Sequence, residues 1–231
     1  MSYVFTPAPV TTVPVVGSDS LFPVHRIYCV GRNYAEHAKE MGFSGREAPF
    51  FFMKPADAVL VVNEGSTGEM PYPTLTQDLH HEIELVVALG KGGRNIKAAD
   101  AFNHVYGYAV GLDMTRRDLQ AEAKKQGRPW DIAKGFDFSA PITPIVPATQ
   151  AGDIQNAPIW LNVNGAKRQA STVTQLIWSI AETIEVLSQA WELKAGDLIF
   201  SGTPEGVAAV SKGDVLEGGV QGLPALKVKL V

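Results

Sequence analysis

The sequence predicts an α+β protein in which short strands outnumber helices, and three observations carry that reading. Apolar, valine-containing runs that read as strands occupy residues 85–89 and 105–112. Leu226, Val228 and Leu230 alternate with Lys227 and Lys229, the period of a strand with one wet face. Ile180, Ile184, Leu187 and Trp191 recur at helical spacing, so residues 178–192 form an amphipathic helix packed on the sheet. At 231 residues and 45% hydrophobic content, the chain can bury a sizeable core. We expect an extended N-terminal arm over residues 1–24 and a single domain over residues 25–231.

The arm is suggested by Pro7, Pro9, Pro14 and Pro23, which oppose helix formation. Arg26 to Val30 reads as a strand that stops at Gly31. Asn33 is placed to cap a short helix from Tyr34 to Met41, with Gly42 at its stop. His37 and Glu40 lie three apart on that helix and share a face. A carboxylate beside an imidazole raises its basicity and orients it, as a general base requires; an exposed surface pair is the alternative. Residues 43–49 are rich in helix breakers and read as a candidate lid. Pro49 to Met53 reads as a strand followed by Lys54, which either meets an anion or lies at the surface.

The chemistry concentrates in the stretch from His80 to Gly90. Leu85 to Leu89 is the buried part of a strand, and side chains on a strand alternate, so Glu82 and Glu84 share a face. Two carboxylates at the mouth of a buried strand repel unless a cation lies between them. Oxygen ligands suit Mg²⁺ or Mn²⁺, and a solvated strand end is the alternative. A second strand, Val105 to Leu112, hands over at Asp113 to a helix over 115–126, for which Thr115 and Asp118 resemble a capping box. If the two strands are neighbours, Glu82, Glu84 and Asp113 converge; otherwise Asp113 simply caps a turn. The helix carries Arg117 and Gln120 and ends at Gly127. Lys134 follows in an apolar, aromatic setting, either partly buried against an anion or solvated in a loop.

Residues 98–103 are expected to form a short helix. Ile159 to Val163, the turn Asn164-Gly165 and the residues from Ala166 onward read as a β-hairpin. Leu198 to Phe200 leads into Ser201-Gly202-Thr203-Pro204-Glu205-Gly206. That turn can offer backbone N–H groups and the Thr203 hydroxyl to an anion, or serve only as a bend. Net charge is −4 without a dense basic block, which speaks against nucleic acid or an anionic membrane as partner. The single cysteine, Cys29, excludes an internal disulfide framework and is expected to be buried and inert. No 18-residue apolar run or secretory pattern is present, so a cytoplasmic protein is expected.

Taken together, several segments resemble the fumarylacetoacetate hydrolase family. They are Gly31 to His37, Phe52-Met53-Lys54-Pro55, His80 to Glu84, Gly111 to Asp118, Ala133-Lys134-Gly135-Phe136 and Ser201-Gly202-Thr203-Pro204, in the family's order. The chain resembles the compact acylpyruvase branch. The resemblance implies a mixed, β-rich rolled sheet with flanking helices, usually a homodimer. It implies Mg²⁺ or Mn²⁺ on Glu82, Glu84 and Asp113, and water activation by His37 with Glu40. It also implies that Lys134, Gln120, Arg117 and Thr203 hold the pyruvoyl end of a small-molecule acylpyruvate. The implied reaction is cleavage of fumarylpyruvate to fumarate and pyruvate, in gentisate breakdown. A substrate with a second carboxylate needs another cation, for which Arg32 and Lys54 rank first and Arg46 and Arg128 follow. An oxaloacetate-type decarboxylase and a dienedioate isomerase or decarboxylase are alternatives within the family. A non-catalytic metal- or carboxylate-binding protein is the alternative of a different class.

Overall fold

The structure, a computed structural model, describes residues 2–35 and 46–231. His37, Glu40, Gly42 and most of the expected Tyr34–Met41 helix therefore lie outside the described residues, as does part of the candidate lid. Two larger sheets organise the rest. The main sheet runs in the order Phe50–Lys54, Ile27–Gly31, Leu198–Phe200, Ile83–Leu89, Val105–Leu112, Ala140–Ile142, Val59–Val61, with Val146–Pro147 also paired to Val105–Leu112. It is mixed: Leu198–Phe200 lies parallel to Ile27–Gly31 and antiparallel to Ile83–Leu89. A five-stranded sheet packs beside it in the order Ala166–Thr172, Pro158–Val163, Val215–Val220, Leu226–Leu230, Gly68–Met70. The mixed, strand-rich architecture is the α+β class expected.

The central strand explains the layering. Every residue of Ile83–Leu89 is buried, so both faces are covered. Ile83, Leu85, Val87 and Leu89 enter one core, shared with Leu161, Leu216 and Val228 of the five-stranded sheet. Val86 and Ala88 enter a second core with Cys29, Ala109 and Phe200. Period-2 alternation therefore assigns Glu84 and Glu82 to the second face. The buried thiol of Cys29 agrees with expectation.

Several local expectations hold and some are revised. The Asn164-Gly165 turn joins Pro158–Val163 to Ala166–Thr172, with φ of 50° and 78°, the left-handed pair that a tight hairpin turn requires. The amphipathic helix spans Ile180–Ala190 and buries Ile180, Ile184 and Leu187. It starts at a reciprocal capping box between Ser179 and Glu182. The Arg117–Gln126 helix ends at Gly127 in the left-handed conformation, but no side chain caps its start. Thr115 instead donates its hydroxyl to the Asp113 carbonyl, because it is held in a two-residue strand pairing with His80. Within the N-terminal segment the extended chain folds back on itself. Thr12–Pro14 pairs with Leu21–Pro23, and Val13 and Phe22 are buried in the second core, since burying them outweighs keeping an apolar segment extended in water. Among the described residues no helix is long and apolar enough to cross a membrane.

Candidate metal centre and substrate cavity

Strand register assembles the floor of the site. Ile83 pairs with Leu112 and Glu84 with Gly111, which sets Asp113 opposite Glu82; the Asp113 N–H donates to the Glu82 carbonyl at 2.8 Å. Gly111 presents no side chain where one would run into the Phe200 ring and Val86. Glu82, Glu84 and Asp113 each offer a carboxylate oxygen, and these oxygens lie within 4.8 Å of one another. The three residues are only 7%, 2% and 1% exposed, so this is not an ordinary solvated acidic patch.

Cations surround one side of the floor. Lys134, the last residue of the short Asp131–Lys134 helix, places its ammonium 2.8 Å from Glu82 Oε2 and 2.6 Å from Asp113 Oδ2. Arg117, at the start of its helix, donates to Glu82 Oε1 at 2.5 Å and to Gln120 Oε1 at 2.5 Å. Burial opposes the Lys134 charge, but Asp113 and Glu82 outweigh it and raise its pKa. Burial likewise favours a protonated Glu82, yet Lys134 and Arg117 outweigh it and hold the carboxyl well below the usual range. Glu84 faces the opposite situation. Burial, Asp113 and Glu82 together push its pKa well up, and the partner that opposes them directly is the Gly202 N–H, 2.8 Å from Oε2.

A divalent cation fits this donor set. Asp113 Oδ1 lies 2.9 Å from the Lys54 ammonium, yet it is a buried oxygen that accepts no hydrogen bond. It is an oxygen ligand that the protein's own donors do not satisfy, and all-oxygen sites suit hard cations such as Mg²⁺ or Mn²⁺.

Above the floor lies a pocket that opens to solvent. Arg32, Arg117, Gln120, Lys134 and Thr203 all line it, together with the aromatic rings of Phe50, Phe52 and Trp130. Lys54 does not. It is 2% exposed, donates to the carbonyls of Met114 and Lys134, and turns its charge on Asp113. The expectation that Lys54 meets the substrate's far end is corrected: it is the one buried residue of its strand, and its ammonium finds the nearest buried carboxylate instead. Arg46 pairs with Glu182 at 2.5 Å and stacks on Trp178, which gives it another partner. Arg32 has a positive φ of 56° and lies over the Phe50 ring.

Two functional neighbours escape sequence reading. The side-chain amide of Asn33 donates to the carbonyls of Ser201 and Trp178 and accepts from the Trp178 N–H. Asn33 packs against Gly202, whose φ is 108° and where an added Cβ would lie only 2.7 Å from the Asn33 Cβ. Gln169 is buried within an otherwise mostly exposed hairpin strand, and no local pattern distinguishes it.

Residues 26–231 match the model of the fumarylacetoacetate (FAA) hydrolase C-terminal family, and the chain belongs to that family. In structure it is similar to a fumarylpyruvate hydrolase from Pseudomonas aeruginosa, solved in complex with Mn²⁺ and pyruvate. That likeness has 55% identity, a TM-score of 0.98, and covers 100% of this chain and 99% of the other. A putative fumarylpyruvate hydrolase from Burkholderia cenocepacia shares 52% identity at a TM-score of 0.92, over 100% of this chain and 98% of the other. Among curated relatives, Oxaloacetate tautomerase FAHD1, mitochondrial, of Homo sapiens is 43% identical over 204 residues, 88% of this chain and 90% of its own. Oxaloacetate decarboxylase, mitochondrial, of Dictyostelium discoideum is 40% identical over 198 residues, 86% of this chain and 89% of its own.

Proposed function

We propose that the protein is a metal-dependent hydrolase that cleaves the C–C bond of an acylpyruvate, with fumarylpyruvate as substrate and fumarate and pyruvate as products. The observation that carries the reading is the buried Glu82, Glu84 and Asp113 cluster, flanked by Lys134 and Arg117, at the base of a cavity. Likeness over the whole chain to the Pseudomonas protein with Mn²⁺ and pyruvate supports it. In this reading the three carboxylates hold Mg²⁺ or Mn²⁺, which supplies a Lewis acid toward a 2-oxo carboxylate.

The chain's own residues do the rest. Lys134 holds a fixed positive charge at the floor, where the leaving enolate develops negative charge. Arg117 and Gln120 orient the pyruvoyl carboxylate beside the Thr203 main chain, the Thr203 hydroxyl proton being committed to the Ile83 carbonyl. His37, oriented by Glu40, takes a proton from water, whose oxygen attacks the distal carbonyl. The bond between carbons 3 and 4 then breaks with its electron pair on carbon 3, and protonation there yields pyruvate. Arg32, at the aromatic wall of the cavity, takes the far carboxylate. A charge-assisted hydrogen bond of about 1.5–3 kcal/mol makes Arg32→Met lose roughly 10- to 100-fold in kcat/KM on fumarylpyruvate. Acetylpyruvate, whose acyl end is uncharged, should be spared; equal losses on both substrates would remove Arg32 from that role. The resemblance also supports a homodimer, which light scattering on the purified protein tests.

The oxaloacetate-directed relatives favour a second reading, in which the same floor serves decarboxylation or keto–enol exchange of oxaloacetate. A panel of fumarylpyruvate, acetylpyruvate and oxaloacetate with Mg²⁺ and with Mn²⁺ separates them. Fumarate and pyruvate mark the hydrolase, carbon dioxide and pyruvate the decarboxylase, and enol loss without a new product the tautomerase.

A further inference from the structure

Gln169 projects from the five-stranded sheet to the underside of the carboxylate floor, where it is 1% exposed. Its contacts settle which way the amide faces. Nε2 donates to the Pro204 carbonyl at 2.8 Å, and Oε1 accepts from the Ile83 N–H at 3.2 Å; neither main-chain partner can exchange roles. Oε1 also accepts from His81 Nδ1 at 3.0 Å, so that ring nitrogen carries a proton. The second Nε2 proton goes to Thr203 Oγ1 at 2.8 Å, and the Thr203 hydroxyl donates onward to the Ile83 carbonyl at 2.8 Å. A closed circuit results, from Ile83 N–H through Gln169 and Thr203 back to Ile83 C=O.

The backbone explains why such a circuit is needed. Glu82 turns its carbonyl toward Asp113, so the N–H and C=O of Ile83 point to the other side of the strand. There the Leu198–Phe200 strand pairs as far as Val86, and Ser201 still donates to Leu85, but at Gly202 the chain turns away. The polar groups of Ile83 would be buried without partners. Side chains of Gln169 and Thr203 replace the missing ladder. Ile83 is also the residue between Glu82 and Glu84, so the orientation of its two peptide planes sets where both carboxylates point.

We propose that Gln169 is a positioning residue that holds Glu82 and Glu84 at ligating separation and ties them to Thr203, so that metal affinity depends on a side chain from the other sheet. This rests on the reading that Glu82, Glu84 and Asp113 bind Mn²⁺ or Mg²⁺. The test is Mn²⁺ affinity of the full chain without substrate, by paramagnetic-resonance titration of free Mn²⁺, with circular dichroism to check the fold. Gln169→Met keeps the volume and deletes the hydrogen bonds; it should weaken Mn²⁺ binding about 10- to 100-fold, the usual cost of losing an outer-sphere partner. Thr203→Val should weaken it in the same way although Thr203 is no ligand, and Thr203→Ser should restore it. Combining Gln169→Met with Thr203→Val should add little, because either change already opens the circuit. A folded Gln169→Met or Thr203→Val protein with wild-type Mn²⁺ affinity overturns the inference alone. Wild-type protein that binds no Mn²⁺ overturns the metal reading with it. If Gln169→Met does not fold, the Thr203→Val and Thr203→Ser pair decides.

Discussion

Glu82 and Glu84 leave one face of one strand, yet Glu82 is gripped by Lys134 and Arg117 while Glu84 meets a single main-chain N–H from Gly202. The same side chain is therefore driven in opposite directions: the Glu82 carboxyl is held below the usual range and that of Glu84 pushed well above it. Desolvation acts on both, so the difference is made by the cations near Glu82 and the anions near Glu84. Half of the floor is neutralised by the protein itself, and the other half gains its counter-charge only from an added cation. A site built this way is electrostatically prepared for a divalent ion and strained without one.

Removing the ion is the strongest way to break the comparison. Chelation should abolish turnover, Mg²⁺ or Mn²⁺ should restore it, and full activity of metal-free protein would end the three-carboxylate reading. The hydrolytic reading assigns the base to His37. His37→Ala should cost about 10²–10⁴ in hydrolytic rate while leaving Mn²⁺ affinity unchanged; a kinetically normal variant would exclude His37. Lys134→Met attacks the neutralised half. It leaves Glu82 and Asp113 buried without their shared cation and should destabilise the protein by about 3–5 kcal/mol, read from denaturant unfolding.

Glu84→Gln attacks the other half, with a smaller effect of opposite sign. It should abolish Mn²⁺ binding yet raise the melting temperature of metal-free protein near neutral pH, since an amide does not have to take up a proton on folding as the buried Glu84 carboxyl does. The pH dependence sharpens this. A raised folded pKa means that folded Glu84 keeps a proton the unfolded chain releases. Its favourable contribution is complete below the ordinary value near 4.5 and is lost as pH rises toward the folded value. The slope is at most about 1.4 kcal/mol per pH unit. Glu82 contributes in the other window: its stabilisation is present above 4.5 and is lost as pH falls toward its depressed value. Melting curves of metal-free wild type and Glu84→Gln should therefore diverge above pH 4.5 and run parallel below it. Superimposable curves above that pH would show that Glu84 is not held protonated.

Much of this site is legible one residue at a time. Alternation along an apolar run puts Glu82 and Glu84 together, and a strand ending at Asp113 offers a third ligand as soon as the strands are neighbours. Lys134 reveals itself only as a lysine among apolar and aromatic residues. Other features mislead because their local meaning is overridden by distant partners. Thr115 is a plausible cap until strand pairing claims its backbone. Lys54 reads as a substrate cation until Asp113 and two carbonyls enclose it.

Short-range periodicity and backbone preference account for what is legible in the sequence. That includes which runs are strands, the Asn164-Gly165 turn, the amphipathic Ile180–Ala190 helix, the shared face of the two glutamates and, through its motifs, the family. Tertiary structure alone decided which charges meet. The register of Ile83 on Leu112 brings Asp113 to Glu82, the helix ending at Lys134 delivers a cation from 21 residues further on, and Gln169 reaches in from a second sheet. The physical reason is that pairing energies inside a protein depend on ångström separations and on exclusion of water. Those quantities arise only when segments far apart in the chain are packed together.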